Sequence, residues 1–136
     1  MRVVFDTNVL VSALLKRGSV SAEAVELALI GRVRPLFDNR MIAEYQEVLK
    51  RPRFRFVAEV VQSFLEDFQA VGEMILEPEQ YARPVPDRSD LPFIEVAISG
   101  GANAIITGNQ SHYPREIDVP VLSPSELIRR LSQLGY

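Results

Sequence analysis

The chain has 136 residues, of which 47% are hydrophobic and 24% are charged, and its formal net charge is −3. This length fits one domain, residues 1–136, with enough apolar side chains to bury a core. The lack of cysteine excludes disulfides and thiolate metal sites, and the single histidine, His112, excludes a zinc site built from histidines. An intrinsic metal site would therefore use oxygen ligands, which favours Mg²⁺ or Mn²⁺.

The first part of the chain predicts a strand, two helices and a second strand. Residues 3–5 form a β-rich run that stops at Asp6, and residues 9–15 follow with helical character. Ser21 can cap the next helix, and residues 34–37 are a second strand candidate. The apolar run before Asp6 is too short for a signal peptide, and no run reaches the roughly 18 residues of a membrane span. We therefore expect a cytoplasmic protein with no membrane partner.

The middle of the chain predicts two helices. Asp38 or Asn39 can cap the first, which runs to about Lys50, and the second is expected over residues 57–74. The aromatic residues of this region are expected in the core rather than in a base-stacking surface: Phe54, Phe56, Phe64 and Phe68.

The last part of the chain begins with a loop over residues 78–92, which are rich in proline, aspartate and arginine. Asp90 then opens a helix, and Ser123 begins a capping box for the last one. The expected elements are a helix over 91–99, a strand over 104–107, a loop over 108–118, a strand over 119–122 and a helix over 124–134. Short strands that alternate with helices predict an α/β fold whose parallel sheet is covered by helices on both faces.

Three acidic residues are expected near one edge of this sheet. The carboxyl ends of parallel strands share an edge, and functional crevices lie there. Asp6 follows the first strand, Asp90 starts the helix before a later strand, and Glu44 lies about one and a half turns into its helix. Carboxylates placed together repel each other, and a divalent cation would remove that cost. Such a site suits hydrolysis of a phosphodiester.

Each of these acids also has a purely structural interpretation. Asp6 and Asp90 could cap helices, and Glu44 could be a solvated helix residue; for any one residue taken alone these are the commoner roles. Asp87 and Glu95 fit a turn and a helix surface. The combination and order of the acids therefore carry the functional prediction.

These segments resemble the motifs of PIN domains. The resemblance covers nearly the whole chain, and the motifs come in the order expected for that family. Asp6 in Val-Val-Phe-Asp-Thr-Asn-Val-Leu resembles the opening motif of the family. Glu44 in Met-Ile-Ala-Glu-Tyr resembles its second acid, and Asp90 in Asp-Arg-Ser-Asp-Leu-Pro-Phe its third. Residues 101–109 resemble a segment that ends in a fourth acid in many members, but here Asn109 stands at that position.

The resemblance implies a three-layer α/β/α fold with a central parallel sheet, a Mg²⁺ or Mn²⁺ site and cleavage of single-stranded RNA. The chain most resembles the stand-alone, VapC-like PIN toxins of toxin–antitoxin pairs. This resemblance implies a small antitoxin partner and a homodimer. By this resemblance Asp6 and Asp90 hold the metal, Glu44 holds it or orients the attacking water, and Asn109 supports the site.

Asn109 adds no charge, so a one-metal mechanism is at least as well supported as a two-metal one. The remaining residues expected to support the site are Thr107, Asp87, Asn8 and His112. One alternative is a nuclease-inactive PIN-like module that binds RNA or protein, which Asn109 and the acidic net charge favour. A signalling receiver domain ranks lower, because it needs a lysine after a late strand and the lysines here are Lys16 and Lys50.

Overall fold

A parallel sheet forms the centre of the structure, a computed structural model that describes residues 1–135. Within these residues its strands are β1 (Arg2–Phe5), β2 (Arg34–Phe37), β3 (Glu73–Met74), β4 (Ala104–Ile106) and β5 (Val121–Leu122). They lie in the order β3-β2-β1-β4-β5, and every neighbouring pair is parallel.

Helices connect the strands and cover the sheet. They are α1 (Thr7–Leu15), α2 (Val20–Leu29), α3 (Asn39–Leu49), α4 (Ala58–Val71), α5 (Leu91–Ser99) and α6 (Pro124–Gln133). Helix α4 packs against β2 and β3, and α5 packs against β1, β2 and β4. Crossovers between parallel strands are right-handed, so α5, which carries the chain back across the sheet, covers the opposite face from the earlier connections. The predicted α/β/α fold is confirmed.

The centre of the sheet is fully buried, and this is where the strand order reverses. Val3, Val4 and Phe5 of β1 have no exposed surface, as expected for a strand covered on both faces. After β1 the chain builds β2 and β3 on one side and then returns to place β4 on the other. The carboxyl ends of β1 and β4 therefore form the switch point at which open α/β sheets carry their sites.

The predicted helix over residues 57–74 is too long, because α4 ends at Val71 and β3 follows. Gly72 allows the chain to turn from α4 into β3 close to β2. A Cβ atom there would lie 2.6 Å from a ring carbon of Phe37 and 2.6 Å from the carbonyl oxygen of Pro35. Beyond the glycine, Glu73 pairs with Leu36 in the sheet and accepts a hydrogen bond of 2.7 Å from the Arg2 guanidinium.

Glu95 was expected on a helix surface, and this prediction is wrong, because the residue is only 6% exposed. Its carboxylate accepts hydrogen bonds from Arg40 Nη1 at 2.7 Å and from the backbone N–H of Tyr81 at 2.8 Å. Arg40 also pairs at 2.7 Å with Asp38, whose side chain caps α3 through the N–H of Met41 at 3.0 Å. Arg40 thus ties the start of α3 to α5.

The expected cap of the second helix is displaced by two residues. Ser19, not Ser21, accepts the hydrogen bond from the backbone N–H of Ala22, at 3.1 Å, so the helix begins at Val20. In residues 1–135 no helix is both long enough and apolar enough to cross a membrane.

Candidate active site

Asp6 lies at the switch point, directly after β1. Its backbone N–H donates to the carbonyl oxygen of Ile106 at 2.9 Å, which extends the pairing of β1 with β4 by one residue. The side chain is nearly buried, and its Oδ2 accepts hydrogen bonds from Thr107 Oγ1 at 2.8 Å and from the Tyr113 hydroxyl at 3.1 Å. Although Asp6 precedes α1, its side chain makes no capping hydrogen bond to that helix. The carboxylate is therefore oriented by side-chain donors, and not by the backbone N–H groups of α1.

Thr107 and Asn8 form the support beneath Asp6. Thr107 is fully buried at the end of β4, and its Oγ1 accepts the backbone N–H of Asn109 at 3.0 Å while donating to Asp6. The Asn8 amide donates to Asp6 Oδ2 at 3.3 Å, and its oxygen accepts the backbone N–H of Gly108 at 3.1 Å. These bonds join the chain after β1 to the chain after β4 and fix the direction of the Asp6 carboxylate.

Glu44 reaches the same crevice from α3. Its Oε2 accepts a hydrogen bond from the hydroxyl of Thr7, the residue after Asp6. Burial raises the pKa of the Glu44 carboxyl above its ordinary value; the bond from Thr7 opposes the rise, and the negative charge of Asp6 adds to it. The structure therefore brings Glu44 and Asp6 together, as the sequence predicts.

Asp90 closes the crevice from the other side, at the end of a short 3₁₀ turn, Arg88–Asp90, that leads into α5. It precedes α5, yet its side chain does not cap the helix. Its Oδ2 is buried and has no hydrogen-bond partner in the part of the chain that the structure describes. Burial, followed by the negative charge of Asp6, raises the pKa of the Asp90 carboxyl to about 7. A buried polar atom without a partner costs free energy, so Asp90 is a destabilising feature of the metal-free protein.

The other predicted residues lie at the rim. Asp87 is exposed and accepts hydrogen bonds from Ser89 at 2.9 and 2.7 Å, and these bonds lower the pKa of its carboxyl. His112 is exposed in a 3₁₀ turn, Gln110–His112. It lies near enough to Asp87 and Asp90 to contribute to the lowered pKa of Asp87 and to oppose the rise in the pKa of Asp90. Asn109 is exposed and is tied to the site through its backbone N–H.

Two residues of the site were not foreseen, Thr7 and Tyr113. The sequence could have indicated Thr7, because it directly follows Asp6 and carries a hydroxyl that can donate to a carboxylate on a neighbouring helix, as it does to Glu44. Tyr113 lies in the segment that was read only as a loop, and it is 4% exposed. Burial and the Asp6 carboxylate raise the pKa of the Tyr113 phenol, so it stays protonated and remains a donor to Asp6.

The oxygen atoms of Asp6, Asp90 and Glu44 fit a Mg²⁺ or Mn²⁺ ion in their chemistry. Such ions take one or two carboxylates and complete their coordination with water and substrate phosphate. The unpartnered Asp90 Oδ2 is the atom that most needs a positive charge. Within residues 1–135 no three acidic or histidine side chains form a ready-made metal cage, so the carboxylates fit an ion that keeps part of its water shell.

The fold and the site define the chain as an α/β/α protein with an acidic crevice at the switch point of a parallel sheet, and comparison with known proteins identifies its family. A sequence model described as PIN domain matches residues 2–111. The chain belongs to the PIN domain family, whose members are generally nucleases that use divalent metal ions.

Among solved structures, the chain is similar in fold to a chain in the crystal structure of VapBC2 from Rickettsia felis bound to a DNA fragment from their promoter. The TM-score is 0.60 at 19% sequence identity, over 90% of this chain and 98% of the other. At this identity the likeness supports the fold alone. A comparison with curated protein sequences returned no match.

Proposed function

We propose that the chain is a metal-dependent endoribonuclease that cleaves single-stranded RNA. The observation that carries the proposal is the Asp90 carboxyl, which has a buried oxygen without a partner and a pKa of about 7, beside Asp6. Because Asp90 does not cap α5, its position has no structural benefit that would offset its cost. Residues kept at such a cost cluster at functional sites.

Asp6 and Asp90 would hold the metal ion, with Glu44 as a further ligand or as the group that orients the attacking water. When bound, the ion would activate water and stabilise negative charge on the phosphate. Thr7 donates to Oε2 of Glu44, which leaves Oε1 to accept a proton from water. The raised pKa of Glu44 makes it a stronger base. Hydrolysis then joins the water oxygen to phosphorus, and the released ribose oxygen takes up the proton.

The test compares a labelled, unstructured RNA with a duplex of the same sequence, in Mn²⁺, in Mg²⁺ and in EDTA. We expect cleavage of the single strand only, and only with metal. Asp6→Asn and Asp90→Asn should each lower the rate by at least about 100-fold, since even changes to residues behind metal ligands cost roughly 10–100-fold. Asp67→Asn, which makes the same change on the exposed face of α4, should cleave like the wild type.

Cleavage that persists in EDTA, or that survives in both active-site variants, would contradict the proposal. Thermal melts of each variant verify that a lost rate reflects chemistry and not unfolding. Preference for Mn²⁺ over Mg²⁺ is read from the same assay.

We also infer that the chain is the toxin of a toxin–antitoxin pair, which acts on RNA in the cytoplasm as a homodimer bound by a small antitoxin. The similarity of fold to a chain of VapBC2 supports this. So do Leu15 and Val20, which are 56% and 45% exposed at the turn between α1 and α2 and which offer apolar surface to another protein. Expression should arrest growth, Asp6→Asn should abolish the arrest, and co-expression of the product of an adjacent gene should relieve it. Light scattering measures the oligomeric state.

A nuclease-inactive PIN-like module that binds RNA or protein is the second candidate. The uncharged Asn109 and the lack of a ready-made three-acid cage within residues 1–135 favour it. RNA binding without cleavage at any Mn²⁺ concentration would establish this alternative.

A further inference from the structure

A strongly basic segment follows α3, and we call residues 50–56 the basic segment. It contains Lys50, Arg51, Arg53 and Arg55, which are four of the 15 lysines and arginines of a chain whose net charge is −3. All four are exposed. Arg51 forms an ion pair of 2.9 Å with Glu47, in which both side chains remain largely in solvent. The basic segment therefore creates a local positive electrostatic potential on an acidic protein, and a positive potential attracts phosphates.

The aromatic side chains of this segment form a support for one of its arginines. Phe56 packs against the hydrophobic core. The Phe54 ring stacks on Phe56, with centroids 5.6 Å apart and an angle of 16° between the planes. The Arg53 guanidinium carbon lies 4.7 Å from the centroid of the Phe54 ring. Phe54 and Phe56 were expected in the core, but they form the lower layers of a stack whose exposed top is Arg53.

The backbone of the segment is fixed as well. Pro52 opens a short 3₁₀ turn, Pro52–Phe54. Arg55 follows in the left-handed region, with φ 56° and ψ 30°, which is uncommon for a residue with a side chain. A planar cation that is already held in place loses less conformational freedom when it binds a ligand.

The basic segment continues the face of α3 that carries Glu44. Glu44 and Glu47 are three residues apart on α3 and share one face of the helix, and Arg51, two residues beyond the end of α3, pairs with Glu47 at 2.9 Å. Arg51 also lies near enough to Glu44 for its charge to oppose the rise in the pKa of that carboxyl. A polynucleotide with its scissile phosphate beside Glu44 can therefore reach the basic segment with a flanking part of the same strand.

We propose that the basic segment binds the single-stranded RNA substrate beside the cleavage site, with a base stacked on the Arg53 guanidinium and phosphates paired with Arg51 and Arg55. Unpaired RNA bases are recognised by stacking on aromatic rings and on arginine planes. Surfaces that combine these groups with a positive groove follow single strands without sequence preference. The inference rests on the proposed ribonuclease function and adds the surface that selects a single strand.

The test measures binding of a fluorescein-labelled 12-nucleotide uridine RNA in EDTA, where metal-dependent cleavage is stopped, at several salt concentrations. Arg53→Ala should weaken binding about fivefold or more, as expected for the loss of one stacked base. The slope of log K against log salt should stay close to that of the wild type, because the phosphates pair with Arg51 and Arg55. Arg53→Lys keeps the charge but loses the plane, so it should retain the salt slope and still bind more weakly than wild type.

Arg32→Ala is the matched control, because Arg32 is exposed between α2 and β2 at the opposite end of the sheet. It removes the same charge and should change binding by less than twofold. Arg55→Gly is a second variant, which removes a charge while glycine accepts the positive φ without strain. It should lower the salt slope by about 0.7, as expected for the loss of one phosphate contact, with an unchanged thermal melt.

If Arg53→Ala and Arg55→Gly match Arg32→Ala in affinity and salt slope, the basic segment does not bind RNA. Metal-dependent cleavage by the wild type would then still leave the proposed function standing. RNA binding that depends on Arg53 in a protein that never cleaves would support the inference and overturn the nuclease. A wild type that binds no single strand overturns both. If the Arg53 variant loses only a protein partner while its RNA affinity is unchanged, the inference fails and the proposed function is unaffected.

Discussion

Replacing Asp90 by asparagine tests whether the acidic crevice is strained when it holds no metal. Ionised Asp90 is unfavourable there, because its Oδ2 is buried without a partner and Asp6 lies nearby. Asparagine has nearly the same shape and no charge. We therefore expect Asp90→Asn to stabilise the metal-free protein, whereas most substitutions destabilise proteins.

The magnitude follows from the pKa of Asp90, which is raised from 3.8 to about 7. Such a rise corresponds to about 4 kcal/mol of destabilisation when the group is fully ionised. Because the residue is partly exposed and solvent screens its charge, we expect about half of this, or about 2 kcal/mol.

The pH dependence has a definite sign. The pKa is higher in the folded state, so the folded state binds the proton more tightly than the unfolded chain does. Below pH 3.8 both states hold the proton and Asp90 costs nothing; the cost grows as the pH rises and is complete above about pH 7. The gain from Asp90→Asn should therefore be about 2 kcal/mol at pH 8 and smaller at pH 5.

Urea unfolding in EDTA at pH 5 and pH 8 measures the difference, with Asp67→Asn on α4 as the control for loss of an exposed charge. Adding Mn²⁺ should raise the stability of the wild type more than that of Asp90→Asn, since a ligand that binds only the folded state stabilises it. A variant that is less stable than wild type at pH 8, or a gain that is equal at both pH values, would refute the reasoning.

Three further outcomes follow from contacts in the structure. Thr107→Val keeps the shape but leaves Asp6 and the N–H of Asn109 without the hydroxyl; it should cost about 1–3 kcal/mol in urea unfolding and lower the cleavage rate about tenfold or more. Arg40→Met leaves the carboxylates of Asp38 and Glu95 without their shared cation; it should cost about 2 kcal/mol or more in urea unfolding at pH 7, and an unchanged stability would exclude a stabilising role of this cation. Gly72→Ala should cost about 1–3 kcal/mol because its Cβ would overlap Phe37 and Pro35, whereas in Gly108→Ala, where the nearest atom outside the adjacent residues is 3.6 Å away, the added methyl group should fit without overlap.

The arrangement of the fold could be predicted because its signals are local. The run of residues 3–5 ends at Asp6, and helical periods separate it from the second strand and the second strand from the fourth, which suffices to place parallel carboxyl ends at one edge. That rule also brought Asp6 and Thr107 together although they are 101 residues apart. Strand β3 was missed because its two residues follow the helical period of α4 directly and were assigned to that helix; they pair with β2, and Glu73 forms an ion pair with Arg2.

Details that depend on partners far apart in the chain could not be predicted. Glu95 resembles a surface residue of α5 until Arg40, 55 residues earlier, is seen to neutralise it. Tyr113 lies in a loop whose path has no sequence period, so neither its burial nor its bond to Asp6 had a local signal. The metal roles of Asp6, Glu44 and Asp90 and the supporting role of Asn109 remain predictions, which the variants above test.

The bonds that hold Asp6 also set the time at which the site can exist during synthesis. Asp6 is made almost first, but its donors Thr107 and Tyr113 come 101 and 107 residues later. Contacts of such long sequence separation form late, because closing the loop between them costs entropy. A chain that is still emerging from the ribosome, or one that stops before residue 107, therefore carries Asp6 and Glu44 without the framework that aims them. The proposed ribonuclease site is therefore complete only after most of the sheet has formed.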